Sequence, residues 1–463
     1  MQQLSLDIAQ DSIASEAMDF TPNPLVEAEE EERSLHFVKY MGSKRNLLPV
    51  ITPVLRDIVP RGGMLLDLFA GTHAVGYSLK EHATVWGNDI QRYSLPIGET
   101  LLLTNPESLR VSNTRELVPA LAANYFRRSS RLFEQWLLRE RNVLALTQVD
   151  VQAGLSAYLD YTRDLAAVLP HSGNPATLSY DLRAYVERIA RGEATDPPMM
   201  AAVYWANTYF SLEQALWLDA YRRAISDLTA GHVGYPAALA SLLHAAAYCT
   251  HGTGHFAQHR KLTSAKVLED VIKYRIRSVT EYWRNKMRLV ETELVASHNL
   301  NRVTALDFKT ALQTGLDGVD AIYADPPYSF VHYSRFYHVL ETLTLYDHPG
   351  TEFDGRYRPV PLRHQSPFCI RTRMSSAFQD VLRVGQAAQV PIVWSYSTSG
   401  LMPFRDLLAL CRKFYPHIDV LRTDYLHTTM GRRGDKTREV SEVLIICNRT
   451  RGVWSGSCRA GGA

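Results

Sequence analysis

Residues 64–90 read MLLDLFAGTHAVGYSLKEHATVWGNDI, and the fold is decided here. Met64–Asp67 is a short apolar run that ends in an acid and meets a glycine turn, the pattern of a buried parallel strand. HAVGYSLKEHA then continues as a helix, and TVWGNDI as a second strand, again ending in an acid. Such a β-turn-α-β unit binds ligands outside the carboxyl ends of its strands. Gly71 lets the backbone approach a nucleotide-like ligand closely. Asp89, about twenty residues on, suits ribose hydroxyls. Each feature taken alone also has a plain structural use, as a turn or a helix cap.

Upstream, HFVKYMGSKRNLLPVITPVLRDIVP gives a short strand or loop, then an amphipathic helix to about Val59. From about Asn105 to Asn299 long helical patterns dominate, such as RRSSRLFEQWLLRERNVLAL and PPMMAAVYWANTYFSLEQALWLDAYRRAISDL, and none alternates with strands. Strand patterns resume in RVTALDF, DAIYADPPY, VPIVWSYS, IDVLRTDY and REVSEVLIICN. The last two, joined by HTTMGRRGDKT, read as a closing antiparallel hairpin. The expected fold class is therefore α/β, a sheet in two sequence blocks (35–104 and 300–450) with a large helical insertion at 105–299. Residues 1–34 are expected as an acidic disordered lead, and 451–463 as a flexible tail.

Composition narrows the function classes. At 463 residues, 46% hydrophobic and 21% charged, the chain is an ordinary folded protein with a formal charge of +2. Residues 1–34 hold nine acids against one base, Arg33, so the positive excess lies in the rest of the chain and suits a polyanion or, equally, a solvated basic face. The longest apolar stretch, Ala237–Cys249, is broken by Ser241 and His244 and is short of a membrane span. No signal-peptide pattern opens the sequence. Five scattered cysteines without a CxxC pair suit reduced thiols in a cytoplasmic protein and argue against a zinc finger.

The most specific motif is Asp325-Pro326-Pro327-Tyr328, after the apolar AIYA. A buried strand that stops at two prolines makes a rigid turn, because proline fixes φ and donates nothing to a ladder. The turn presents an acid, a carbonyl and an aromatic ring at one sheet edge. A fourth segment, Tyr40-Met41-Gly42-Ser43-Lys44, sets an aromatic and a cation just ahead of the first helix.

In the order YMGSK, DLFAGT, NDI, ALDF, DPPY, the chain resembles the D12 class of adenine-specific DNA methyltransferases, the Dam-like family. The resemblance covers about half the chain. It implies a Rossmann-like sheet binding S-adenosylmethionine, with target recognition in the inserted helical block. It also implies that Tyr40 and Lys44 contact the cofactor, Lys44 near its carboxylate. Asp67, Phe69 and Gly71 would line the turn beside the methionine portion, Asp89 would take the ribose hydroxyls and Ile90 would pack on the adenine. Asp307 and Phe308 would face the adenine edge, and Asp325 would sit between cofactor and target base. The family usually reads DLFxGxG; His73 stands at the last glycine, a costly residue if φ is positive there.

The chemistry matches these residue types. Adenine N6 is a weak nucleophile because its lone pair is delocalised into the ring. Asp325 and the Pro326 carbonyl both accept from the amino group and localise that pair, while Pro327 stiffens the turn. Neither a covalent intermediate nor a metal is needed. Turning the base out of the duplex costs a few kcal/mol, and stacking on Tyr328 returns about 1–3 kcal/mol. The rival readings are a methyltransferase for RNA or protein amide nitrogen, and a DNA-binding relative of weakened activity. Protein-glutamine enzymes typically carry Asn at the position of Asp325.

Residues 251–290 hold nine Lys/Arg against three acids, interleaved with aromatics. His255, Lys273, Arg275 and Arg277 there, with Arg432 and Arg433 in the late loop, are candidate contacts to double-stranded DNA, and a solvated basic face of an amphipathic helix is the equal alternative. His251, His255 and His259 do not read as a metal set, since Gly252 and Gly254 argue against a helix. HYSRFYHVLETLTLY reads as the helix covering the target pocket; Tyr333 or Tyr337 is a candidate to hold the target base, with core packing the use of most of its aromatics. No nuclease motif is present, so any restriction endonuclease is expected as a separate partner, with the methylase itself a monomer.

Overall fold

Seven strands build one sheet: β1 (Met64–Asp67), β2 (Thr84–Asn88), β3 (Arg302–Thr304), β4 (Ala321–Ala324), β5 (Ile392–Ser397), β6 (His417–Thr423) and β7 (Glu442–Asn448). Their order is β3-β2-β1-β4-β5-β7-β6. Pairing is parallel from β3 to β5, and β7 runs antiparallel between β5 and β6. This mainly parallel arrangement is compatible with a Rossmann-like methyltransferase sheet. The computed structural model describes residues 35–39, 42–169, 184–185, 187–188, 191, 193, 196, 198–229, 231–250, 255–257, 265–328, 333–347, 358, 363–423 and 442–450. The expectations for residues 1–34 and 451–463, and for Tyr40, His251, His259, Arg432 and Arg433, lie outside these, as does the side chain of Tyr333.

Alternation along the strands explains why the sheet is covered on both faces. Successive side chains of a strand point to opposite sides. Leu65, Val85, Tyr323, Val393, Leu444 and Ile446 belong to one hydrophobic cluster. Leu66, Trp86, Ile322, Trp394, Ile445 and Cys447, their immediate neighbours in sequence, belong to a second. The second face is closed by helices Phe308–Gln313, Met374–Ala388 and Phe404–Cys411. A strand buried on both faces reads as a continuous apolar run, as these do.

The first face is closed by helix Leu48–Ile58 and by the long helical stretch. Leu48–Ile58 buries Ile51, Val54, Leu55 and Ile58 at helical spacing and has a proline in its first turn. Between 105 and 299 the described residues form helices without a named strand, including Thr114–Ser130, Glu134–Val149, Leu212–Ser226, Tyr235–Cys249 and Val279–Glu293. Their side chains join the same cluster as Leu65 and Val85, so helices and sheet share one core. Tyr235–Cys249 is buried nearly all round, which accounts for its apolar sequence. No helix among the described residues is long and apolar enough to cross a membrane.

Buried helix ends are satisfied from a distance. Glu140 accepts from the amides of Leu212 and Glu213, while Ser211 and Gln214 form a reciprocal capping box at the same helix start. Asp219 likewise takes the amides of Ala201 and Ala202.

Candidate active site at the carboxyl ends of β1, β2, β3 and β4

The strand order reverses between β1 and β4, which opens a crevice at their carboxyl ends. The register sets Asp67 opposite Tyr323, so the turn after β1 and the Asp-Pro-Pro-Tyr turn after β4 are neighbours. A cavity with about 870 Å³ of free space, open mouth included, lies there. Leu68 and Phe69 line it from β1; Asn88, Asp89, Ile90 and Gln91 from β2; Leu306, Asp307 and Phe308 from β3. Asp325, Pro326, Pro327 and Tyr328 close it from β4, with Gly42 and Lys44 ahead of the first helix. One cavity thus gathers sequence segments separated by most of the chain.

Asn88 ties three of these strand ends together. Its amide donates to the carbonyls of Leu68 and Leu306, and its oxygen accepts from Thr304 Oγ1 and the Leu306 amide. Asp89 is held just as firmly, accepting from Gly71 N–H and Gln91 N–H at 2.9 Å each. Burial pushes its pKa up, against the pull of those amides. With the Ile90 amide also acting on it, the carboxylate retains lone-pair capacity for a further hydroxyl donor. Asp307 caps helix Phe308–Gln313 through the Lys309 amide, and Phe308 packs with Phe69 and Phe368.

At the β4 end, the Lys44 ammonium stands 3.1 Å from Asp325 Oδ1 and 3.5 Å from Glu442 Oε2. Glu442 Oε1 accepts from the Tyr328 hydroxyl at 2.9 Å, and the Tyr328 ring rests edge-on against Tyr396. Burial raises the Asp325 pKa to about 6, Lys44 pulling it down and Glu442 pushing it up. Burial by itself would lower the Lys44 pKa, but Asp325 and Glu442 hold the ammonium above its ordinary value. The arrangement delivers an ionisable acceptor, a rigid carbonyl and a fixed aromatic face to one wall.

Two expected wall residues lie elsewhere. The Asp67 side chain is buried beneath the turn, and burial with Asp325 and Asp89 nearby drives its pKa well up. Gly71, at φ +53°, is also outside the cavity wall and acts through its amide on Asp89. His73 does adopt positive φ, +58°. Tyr337 is 1% exposed and packs on Tyr93, a core position rather than a base holder.

The basic segment also divides. Arg275 is a correction to the DNA-contact expectation: it is 4% exposed, and its guanidinium donates to the carbonyls of Phe210 and Thr208. Arg277 is turned inward to the Tyr248 carbonyl and lies over the Tyr274 ring. Lys273 remains exposed, 3.8 Å from Asp270, and His255 packs edge-on against Phe336. Arg275→Ala is expected to lower stability by about 2 kcal/mol or more, since two buried carbonyls lose their donor. Salt-dependent DNA binding should keep its slope; denaturant unfolding and a salt titration check the two halves.

Several site residues escaped the sequence reading. His364, Gln365, Ser366 and Cys369 line the cavity from a connection and the short helical turn Pro367–Cys369, which carry no recognisable pattern, and Ser334 lines it from the turn Tyr333–Arg335, within a segment read for its aromatics alone. Glu442 had a readable signal: it is the one acid heading the otherwise apolar run VLIICN, and it is 2% exposed. Glu442→Gln removes a negative charge beside Asp325, so the acid limb of the pH–rate profile should move below 6. Tyr328 then donates to a neutral amide oxygen in place of a carboxylate, and the weaker anchor should cost up to about tenfold in rate, as a pH series of single-turnover rates would show.

The fold and cavity define a class, an α/β protein with a cavity at the carboxyl ends of its parallel strands, one wall of it an Asp-Pro-Pro-Tyr turn. The chain belongs to the D12 class N6 adenine-specific DNA methyltransferase family, whose model matches residues 40–186 and 273–394. It is 26% identical over 414 residues to modification methylase LlaI of Lactococcus lactis subsp. lactis, covering 87% of this chain and 54% of that protein. It is 22% identical over 426 residues to modification methylase StsI of Streptococcus sanguinis, covering 89% and 52%. The match to the type II methyltransferase M.FokI of Planomicrobium okeanokoites is 22% over 372 residues, covering 79% and 45%. The chain spans about half the length of these curated relatives.

Proposed function

We propose that this chain transfers a methyl group from S-adenosylmethionine to N6 of an adenine turned out of a specific duplex DNA sequence. The observation that carries the reading is the shared cavity: Asp89 and Ile90 at the end of β2 face the same space as Asp325 and Tyr328 at the end of β4. The residues present fit the donor. A buried carboxylate with spare lone pairs suits ribose hydroxyls, and Ile90 and Phe308 offer apolar surface to an adenine ring. When bound, S-adenosylmethionine supplies a methyl group already activated by its sulfonium.

The chain's own residues do the rest. Asp325 and the Pro326 carbonyl accept hydrogen bonds from the two N6 hydrogens and draw the nitrogen lone pair out of the ring; once N6 carries the methyl group, its surplus proton passes to the Asp325 carboxylate and from there to solvent. Asp325 must be ionised to do so, which Lys44 favours. Tyr328, braced by Glu442 and Tyr396, offers its face to the base. In this reading Lys44 acts on Asp325 rather than on the donor carboxylate. The helical stretch 105–299 serves target recognition, with Lys273 among its phosphate contacts. The protein works as a monomer, and any restriction endonuclease is a separate chain.

Transfer of tritiated methyl groups to unmethylated duplex DNA, compared with RNA, tests this. Label appearing as N6-methyladenine in DNA is the expected result. Label in RNA alone, or in neither, overturns it.

A further inference from the structure

We propose that His73 is a positioning residue for the ribose subsite, acting on Asp89 through Ser94 and Gly71. The inference rests on the proposed role of Asp89 as the acid that meets the ribose hydroxyls.

The geometry forms a continuous relay. His73 Nε2 lies 2.9 Å from Ser94 Oγ, and Ser94 Oγ donates to the Gly71 carbonyl at 2.6 Å. Gly71 N–H in turn donates to Asp89 Oδ2 at 2.9 Å. A hydroxyl has one hydrogen, and Ser94 spends it on Gly71. The remaining bond therefore needs a hydrogen on Nε2, which assigns the neutral Nε2–H tautomer. Burial keeps the ring neutral by lowering its pKa to about 4.

The ring's seat is built for it. His73 is fully buried, and a Cβ on Gly87 would come within 2.5 Å of its Nδ1. A Cβ on Gly98 would come within 2.5 Å of Cε1 and Nε2. Two glycines on separate elements, the strand β2 and the short helix Ser94–Gly98, thus leave a slot the size of an imidazole. The backbone of His73 also holds a left-handed conformation that glycine would adopt without strain. A residue that merely filled space would need neither the strain nor the aligned donor. The Gly71 carbonyl and amide belong to successive peptide planes that meet at its Cα, so anchoring the carbonyl restrains the torsions of this flexible glycine, held at φ +53°, and with them the direction of the amide that aims Asp89.

Isothermal titration of the full chain with S-adenosylhomocysteine, and with its 2′-deoxy analogue, tests the relay. Wild type, Ser94→Ala, His73→Gly and the double variant are compared, with folding checked by thermal unfolding. We expect each single variant to bind S-adenosylhomocysteine at least tenfold more weakly, and the double variant no more weakly than the worse single. The preference for the parent over the deoxy compound should shrink in all three. Should His73→Gly fail to fold, Ser94→Ala carries the comparison, since it breaks the relay with the loss of one hydroxyl. Folded variants with wild-type affinity and wild-type ribose preference overturn the relay alone. A wild-type chain that binds neither compound overturns the ribose subsite itself.

Discussion

Asp325→Ala should abolish methyl transfer, with a loss of about 10²–10³-fold or more, while leaving salt-dependent DNA binding nearly intact. The size follows from what the side chain is placed to do. Asp325 sits at the cavity wall at the end of β4, on a turn stiffened by two prolines, with Lys44 at 3.1 Å. In the proposed reaction a group held there would act where charge develops in the transition state, and an alanine would contribute nothing. Since its pKa stands at about 6, the wild-type rate should fall tenfold per pH unit below that value as the acceptor is protonated. Single-turnover transfer across pH 5 to 8, with parallel DNA-binding isotherms, reads both effects. Unchanged turnover in the variant would remove Asp325 from the chemistry.

Lys44→Met should be nearly as damaging, and by a different route. The ammonium is 7% exposed and separates two carboxylates, one of them fully engaged with Tyr328. Without it, Asp325 and Glu442 face each other with no counter-charge. The Asp325 pKa should then rise by about one unit or more, so that the acid limb moves upward from 6. Glu442→Gln moves the same limb downward, and the opposite signs distinguish an electrostatic role from general loss of packing. Stability should also fall, by about 3 kcal/mol or more, because one partner of a buried ion pair has been removed. Urea unfolding at pH 7 and the pH–rate profile separate the two effects. A limb that stays in place would return Lys44 to the donor carboxylate.

The basic segment shows where reading charge from sequence fails. Nine cations in 251–290 look like a nucleic-acid surface, yet Arg275 and Arg277 turn inward to backbone carbonyls. An arginine has the same charge whether it faces phosphate or satisfies the end of a loop. Only the packing around it distinguishes the two, and at Arg275 that packing includes the Tyr158 ring from a distant helix.

The elements that meet the cavity through contiguous residues were legible in the chain by itself. DLFAG, NDI and DPPY each carry a strand end, a turn and cavity-lining residues within a few positions, and local sterics are enough to place a group at a strand end. The alternation that buries both sheet faces is equally local, since the two-residue period is a property of the backbone. What required the tertiary structure is every relation between segments far apart. The Lys44–Glu442 contact joins residues 398 positions apart, and the Gly87 and Gly98 slot for His73 belongs to two elements at once. Such pairings depend on how elements pack, and packing energy is spread over the whole core. No short stretch of sequence records it.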